Sequence, residues 1–294
     1  MTQTQTHTLA VPGADLVYDV TGPLPPADGR PPLFMIGQPM TADGFGALAA
    51  HFPDRTVVTY DPRGLGRSAR TDGGTDNTPQ QQAADLHRLA VHLGAGPVDV
   101  FASSGGAVTA LEWVSAHPDD VATLVAHEPP INPILPDAAG ADRARAAFND
   151  AYETGGSGPG MAAFIAMTSW RGEFTEEYFA QPAPDPAMFG LSTTDDGTRD
   201  DPLLSRHSWA VTDYRPDVAA LNSSAARIVI GVGEESAQTY TARTAEAMAA
   251  LLGGPATVFP SHHGGFLGGE FGYAGKPEEF AAKLREVLGA PPAG

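Results

Sequence analysis

The chain has 294 residues, 42% of them hydrophobic, enough to bury the core of one large α/β domain or of a domain carrying an insertion. Its 17 Lys and Arg against 35 Asp and Glu leave a net charge of −18, which argues against nucleic acid and against an anionic membrane surface as partners. With no cysteine there is no disulfide framework and no thiolate metal site, and no run approaches the roughly 18 apolar residues of a membrane span. The first residues, MTQTQTHTLAVPG, hold neither a basic region nor an apolar run of signal length, so the chain reads as soluble and cytoplasmic.

In chain order, Thr8–Val11 and Leu16–Val20 read as two strands around Pro12-Gly13, followed by a Pro-rich loop from Pro23 to Pro32. Leu33–Ile36 is apolar throughout and predicts a central strand, ending in Gly37-Gln38-Pro39-Met40. Thr56–Tyr60 is the next strand, and Asp61-Pro62-Arg63-Gly64-Leu65-Gly66-Arg67-Ser68 follows it. A phosphate-cradling role for that turn is disfavoured, because it lacks the P-loop lysine and opens no helix. Gln80–Leu93 is an amphipathic helix closed by Gly94; its His87 and His92, five residues apart, share no face and read as solvated rather than as metal ligands.

Val98–Phe101 is a buried strand that Ser103-Ser104-Gly105-Gly106 interrupts, and Ala107–Val114 then repeats at helical spacing. Ala102 and Gly106 flank Ser104 at two positions on either side, as a strand-to-helix turn needs if it is to lift a side chain clear of the backbone. At a helix N-terminus, free N–H groups favour developing negative charge, so Ser104 is placed to be a nucleophile. Ser103 is the rival, but Phe101 in its flank does not fit so tight a turn. Val121–Ala126 is the next strand, and this alternation predicts a mostly parallel sheet with helices on both faces and its site at the carboxyl ends of the strands.

From Ile131 to about Ser224 the alternation breaks into helical patches, including Ala141–Tyr152 and Pro159–Trp170, separated by Gly-Ser and Pro-Asp stretches. This predicts an inserted helical cap over residues 131–224, with 1–130 and 225–294 forming the core domain. A strand over Arg227–Val232, a helix over Gln238–Leu252, a strand over Ala256–Phe259 and a helix over Pro277–Leu288 complete the core, and Gly289–Gly294 reads as a frayed tail.

A serine needs a base, and imidazole suits that task near neutrality. His262-His263-Gly264-Gly265-Phe266 follows the last strand, at the same edge of the sheet as Ser104, so either histidine is a candidate. By this point the chain resembles the α/β hydrolases over nearly its whole length. Leu33–Pro39 is similar to their third strand and oxyanion loop, Asp61–Ser68 to their D-x-R-G-x-G-x-S turn, and Ala102–Gly106 to their nucleophile elbow. His263, in His-x-x-Phe, is similar to their catalytic histidine, and the chain order of nucleophile before histidine fits as well. The resemblance implies the α/β-hydrolase fold and a serine machinery. Esterases, proline iminopeptidases, cofactor-free haloperoxidases and haloalkane dehalogenases share the layout, so it does not imply a substrate.

Matching the family's His-Gly-x-Pro loop puts the N–H of Gln38 beside that of Gly105 in an oxyanion hole, with Ile36 where the family has histidine. The family's usual acid, an aspartate after the strand at 227–232, is missing: that segment reads Gly231-Val232-Gly233-Glu234-Glu235-Ser236. Glu235 is one candidate acid. Glu128, in His127-Glu128-Pro129-Pro130, is the other and is preferred, since a charge ending a buried strand needs a partner and some haloalkane dehalogenases place their acid there. Met40 beside the oxyanion loop and Phe164, Met167 and Trp170 of the cap are expected to line an apolar substrate pocket, with His207 read either as a further substrate contact or as a surface or capping histidine.

The expected activity is cleavage of an ester or related acyl bond in a medium-sized hydrophobic molecule. Its alternatives are cofactor-free lyase, cyclase or oxygenation chemistry on a natural-product intermediate, or ligand binding without turnover. No metal or organic cofactor is implied. The partners expected are a small-molecule substrate and at most a second copy of the chain.

Overall fold

Side chains alternate across a strand, so a run that is apolar at every position must have both of its faces covered. Leu33–Ile36 (β3) is such a run, with Phe34 and Ile36 buried in one apolar layer and Leu33 and Met35 in the other. The computed structural model describes residues 3–75, 77–94 and 96–289 and places β3 inside a nine-stranded sheet. The other strands are β1 (Thr4–Val11), β2 (Ala14–Thr21), β4 (Val57–Tyr60), the two-residue β5 (Ala69–Arg70), β6 (Val98–Ser103), β7 (Val121–His127), β8 (Arg227–Gly233) and β9 (Thr257–Phe259). The order is β1-β2-β4-β3-β6-β7-β8-β9, with β5 on β2. Pairing is antiparallel through β1, β2 and β4 and parallel from β4 to β9, which is the mostly parallel sheet that the sequence predicts.

One face is covered by α2 (Pro79–Leu93), α3 (Gly105–Ala116) and α9 (Tyr240–Leu251), whose Leu86, Leu111, Trp113 and Met248 pack on Phe34, Val100 and Leu124. The other is covered by α1 (Gly46–Ala49) and α10 (Pro277–Gly289), where Phe101 meets Phe266 and Phe280 edge-on at 5.3 and 5.4 Å. Burial of each such side chain contributes about 1.5–3 kcal/mol. Residues 290–294, most of the stretch read as a frayed tail, lie outside the described residues.

Between β7 and β8 the chain runs through α4 (Ala138–Gly155), α5 (Ser157–Ser169), α6 (Glu176–Phe179), α7 (Trp209–Thr212) and α8 (Val218–Ser223). Leu135, Phe148, Tyr152, Met167, Phe174 and Leu204 give this segment a core of its own, which Tyr240 of α9 joins from the sheet side. Gly160 lets α5 lie against α4, since a Cβ there would sit 2.6 Å from that of Tyr152. No helix among the described residues is long and apolar enough to cross a membrane.

Candidate active site

Ser104 stands alone between the end of β6 and the start of α3, at φ 56° and ψ −127°. A left-handed φ at a residue with a Cβ costs roughly 1–3 kcal/mol and persists only where its surroundings hold it. Here the Ser104 N–H donates to the His127 carbonyl at 3.0 Å, and the β3 loop packs directly on the turn. A Cβ on Gly106 would fall 2.6 Å from Gly37 Cα, and one on Gly105 would fall 2.7 Å from the Gln38 carbonyl oxygen. Those contacts explain the glycines after Ser104. Ala102, fully buried, is small enough for the first flank, and Ser103 is the buried last residue of β6.

Ser103 and His127 are register partners on β6 and β7, so the residues just beyond them, Ser104 and Glu128, leave neighbouring strands at the same level. Glu128 also has a positive φ, 49°, and is fully buried. Its Oε1 accepts the Gly233 N–H at 2.9 Å, while Oε2 accepts from Thr241 Oγ1 at 2.7 Å and from His263 Nδ1 at 2.6 Å. Burial pushes this carboxyl up, but the hydrogen bond and charge of His263, with His127 and Thr241, outweigh burial and hold it well below the ordinary carboxylate range.

Glu235 takes no part in that arrangement. Its carboxylate accepts from Lys276 Nζ at 2.7 Å on the surface, which keeps it ionised. Of the two histidines, His262 accepts the Gly264 N–H at 3.1 Å and donates to the Ala274 carbonyl at 3.1 Å, so both of its ring nitrogens hold backbone. His263 uses Nδ1 on Glu128 and retains Nε2.

Gln38 is buried, and its Oε1 accepts from Thr109 Oγ1 at 3.3 Å, so the side-chain amide is anchored to α3. Gly105 is the first residue of α3, and its N–H therefore has no intrahelical acceptor. Ile36, in place of the family's histidine, is core, and the loop is braced from the turn after β4. There Asp61 accepts the Ala42 N–H at 3.0 Å and the Arg67 N–H at 2.8 Å. Arg63 of the same turn is buried in a two-pronged pair with Asp85, at 2.9 and 2.7 Å, which makes the turn a structural brace.

Ser104, Gly105, Gln38 and His263 open onto one cavity of about 820 Å³. Helix α5 lines it with Met161, Phe164, Ile165 and Thr168, spaced i, i+3, i+4 and i+7. Of the residues named from the sequence for the pocket, Phe164 and Met167 are in this lining and Trp170, His207 and Met40 are not. Trp170 lies outside the lining, edge-on to Tyr178 at 5.3 Å with Nε1 donating to the Glu173 carbonyl at 3.0 Å. His207 is exposed on the turn before α7, outside the cavity. Met40 folds back beneath its own loop against Gly37 and Gly44, into the layer under α1. Lining residues that the sequence reading missed include Arg145, Arg171, Tyr240, Thr241 and Phe271, which come from four separate stretches and share no local signal except the α5 stripe nearby.

His87 does not pair with His92. It stacks on His117 at 3.8 Å and 6° and bonds Asp120 at 2.7 Å, and donor atoms of His87, His117 and Asp120 lie within 4.8 Å of one another. Stacked parallel imidazoles direct their in-plane lone pairs in parallel, so this arrangement does not converge on one ion.

A family model described as alpha/beta hydrolase fold matches residues 35–154. Over 123 residues the chain is 37% identical to an uncharacterized hydrolase, YraK, of Bacillus subtilis (strain 168), covering 42% of this chain and 44% of that protein. Over 98 residues it is 34% identical to a proline iminopeptidase of Xylella fastidiosa (strain 9a5c), covering 33% of this chain and 31% of the relative. The chain thus matches less than half the length of these relatives. The solved structure of a thermophilic esterase from Thermogutta terrifontis superposes with a TM-score of 0.61 at 23% identity, over 97% of this chain and 98% of that one, a likeness of fold. The chain has the α/β-hydrolase fold, and its matched segment and relatives are similar to members of that superfamily.

Proposed function

We propose that the chain is a serine hydrolase that cleaves an ester or related acyl bond of a medium-sized hydrophobic molecule, with Ser104 as nucleophile, His263 as base and Glu128 as the third member. The observation that carries this reading is the 2.6 Å contact between His263 Nδ1 and the fully buried Glu128, with His263 and Ser104 lining the same cavity. A buried carboxylate fixes the imidazole tautomer and stabilises the imidazolium that forms when the base takes a proton.

Ser104 Oγ attacks the acyl carbon as its proton passes to His263 Nε2, and the N–H groups of Gly105 and Gln38 hold the oxyanion. Collapse breaks the acyl–oxygen bond, and His263 returns the proton to the departing alkoxide. Water then repeats the sequence on the acyl-enzyme. The helices between β7 and β8 act as a cap whose α5 stripe receives the apolar part of the substrate. The esterase and iminopeptidase likenesses support hydrolysis as the class.

Labelling with a fluorophosphonate probe, read by mass spectrometry, tests the reading. Modification at Ser104 that is lost in Ser104→Ala and strongly slowed in Glu128→Gln is expected; a folded protein whose Ser104 does not react would overturn it.

A further inference from the structure

Across the whole chain acids outnumber bases by 35 to 17, yet the cavity reverses that balance. The charged side chains in its lining, histidines aside, are Arg145, Arg171 and Glu235, and Glu235 is neutralised by Lys276. Arg145 is nearly buried beneath Trp209 and is matched from outside by Asp142 and Asp213, both half-exposed.

Arg171 differs. Its Nη1 donates to the Ala237 carbonyl and its Nη2 to the Glu235 carbonyl at 3.1 Å, and among the described residues no carboxylate lies within 4.0 Å of it. The main chain around it is also tied down, through a β-bridge to Thr239 and the Gly172 N–H donating to the Gln238 carbonyl at 2.9 Å. A guanidinium has five N–H groups, so at least three remain on a fork that is already oriented, exposed at the rim, at the end of the apolar α5 stripe.

An immobilised fork without an acid partner matches a carboxylate, whose two oxygens it can engage together. The other charged groups at this rim, Lys276, Glu234 and Glu235, are already paired with one another. Resting on the hydrolase reading above, we propose that the substrate carries a carboxylate at the far end of an apolar segment from its scissile carbonyl, and that Arg171 recognises it. The substrate class is then the half-ester of a dicarboxylic acid, or an acyl compound of equivalent charge and length.

The test compares monophenyl adipate with phenyl hexanoate, which differ by the terminal carboxylate. Binding is measured by calorimetry on the Ser104→Ala protein, and hydrolysis on the unmodified one. The half-ester is expected to bind about tenfold more tightly, Arg171→Gln to abolish that preference while leaving phenyl hexanoate within about twofold, and Arg171→Lys to keep part of it. Equal or weaker binding of the half-ester, no binding of either ester, or an Arg171→Gln loss shared equally by both esters would overturn the proposal. Because the binding arm requires no turnover, it reads the carboxylate preference even if Ser104 proves unreactive, and that failure would strike the hydrolase reading alone.

Discussion

The ends of β7 and β8 each present a glutamate within reach of the histidine loop, and they differ in everything but side-chain type. At the end of β7, Glu128 is fully buried and takes hydrogen bonds from Gly233, Thr241 and His263. At the end of β8, Glu235 is half-exposed and satisfied by a surface lysine. A carboxylate can serve as a fixed countercharge only where donors hold it and water does not screen it, so burial with three donors is what favours Glu128 in the proposed triad. The backbone makes the same distinction: Glu128 sits at a left-handed φ that aims it inward, while Gly233 at the corresponding turn is needed because a Cβ would fall 2.7 Å from the Ser261 carbonyl oxygen.

Glu128→Gln strikes this difference hardest. It removes the countercharge while keeping most of the shape, and kcat on a phenyl ester is expected to fall by about 10³–10⁴, as for loss of the acid from other serine triads. A loss below tenfold would show that the two strand ends are functionally alike.

The next effect is on stability. His127, beside Glu128 on β7, is buried among Phe101, Phe259 and Phe280, and burial lowers its pKa from 6.5 to about 4. The unfolded chain therefore binds a proton that the folded chain refuses between those values, and stability is lost as pH falls from 6.5 towards 4, by about 3 kcal/mol. His117, also lowered by burial, adds in the same direction. Glu128, held below its ordinary 4.5, contributes stability that is complete above that pH and declines only below it. Urea titrations at pH 7 and pH 4.5 are expected to converge markedly in His127→Leu; an unchanged difference would exclude His127 as its source.

Thr241→Val deletes one of the three donors, with an expected fall in kcat of about fivefold to tenfold at nearly constant KM and recovery in Thr241→Ser. An equal loss in both variants would mean that the hydroxyl does not position Glu128. The smallest effect belongs to Glu235→Gln, whose exposed pair with Lys276 should leave kcat within about twofold.

What could be read in the sequence follows from this contrast. Continuous apolar runs declare buried parallel strands, and β3 and β7 were legible almost to the residue, as was the strand-to-helix turn at Ser104, whose Gly106 and Gly105 are dictated by the close approach of Gly37 and Gln38. The pairing of Glu128 with His263 spans 135 residues, and only the sheet register brings it about. For the same reason Arg171 and Thr241 carried no signal, because their meaning comes from neighbours distant along the chain. Trp170 shows the converse: an aromatic at helical spacing looks like a pocket residue until packing assigns it to Tyr178.

Ser104 and Glu128 leave adjacent strands side by side, before the helical insertion begins. The proposed nucleophile, both oxyanion donors and the acid therefore come from one uninterrupted stretch ending at residue 128, and His263 alone comes from beyond the insertion. An acid on β8 would instead split the machinery across it. With the proposed acid on β7, the helices between Pro130 and Arg227 lie outside the strand pairing, Ser103 with His127, that holds the proposed nucleophile and acid in register. In engineering terms the proposed chemistry is a cassette, and the segment between β7 and β8 is a fitting set beside it.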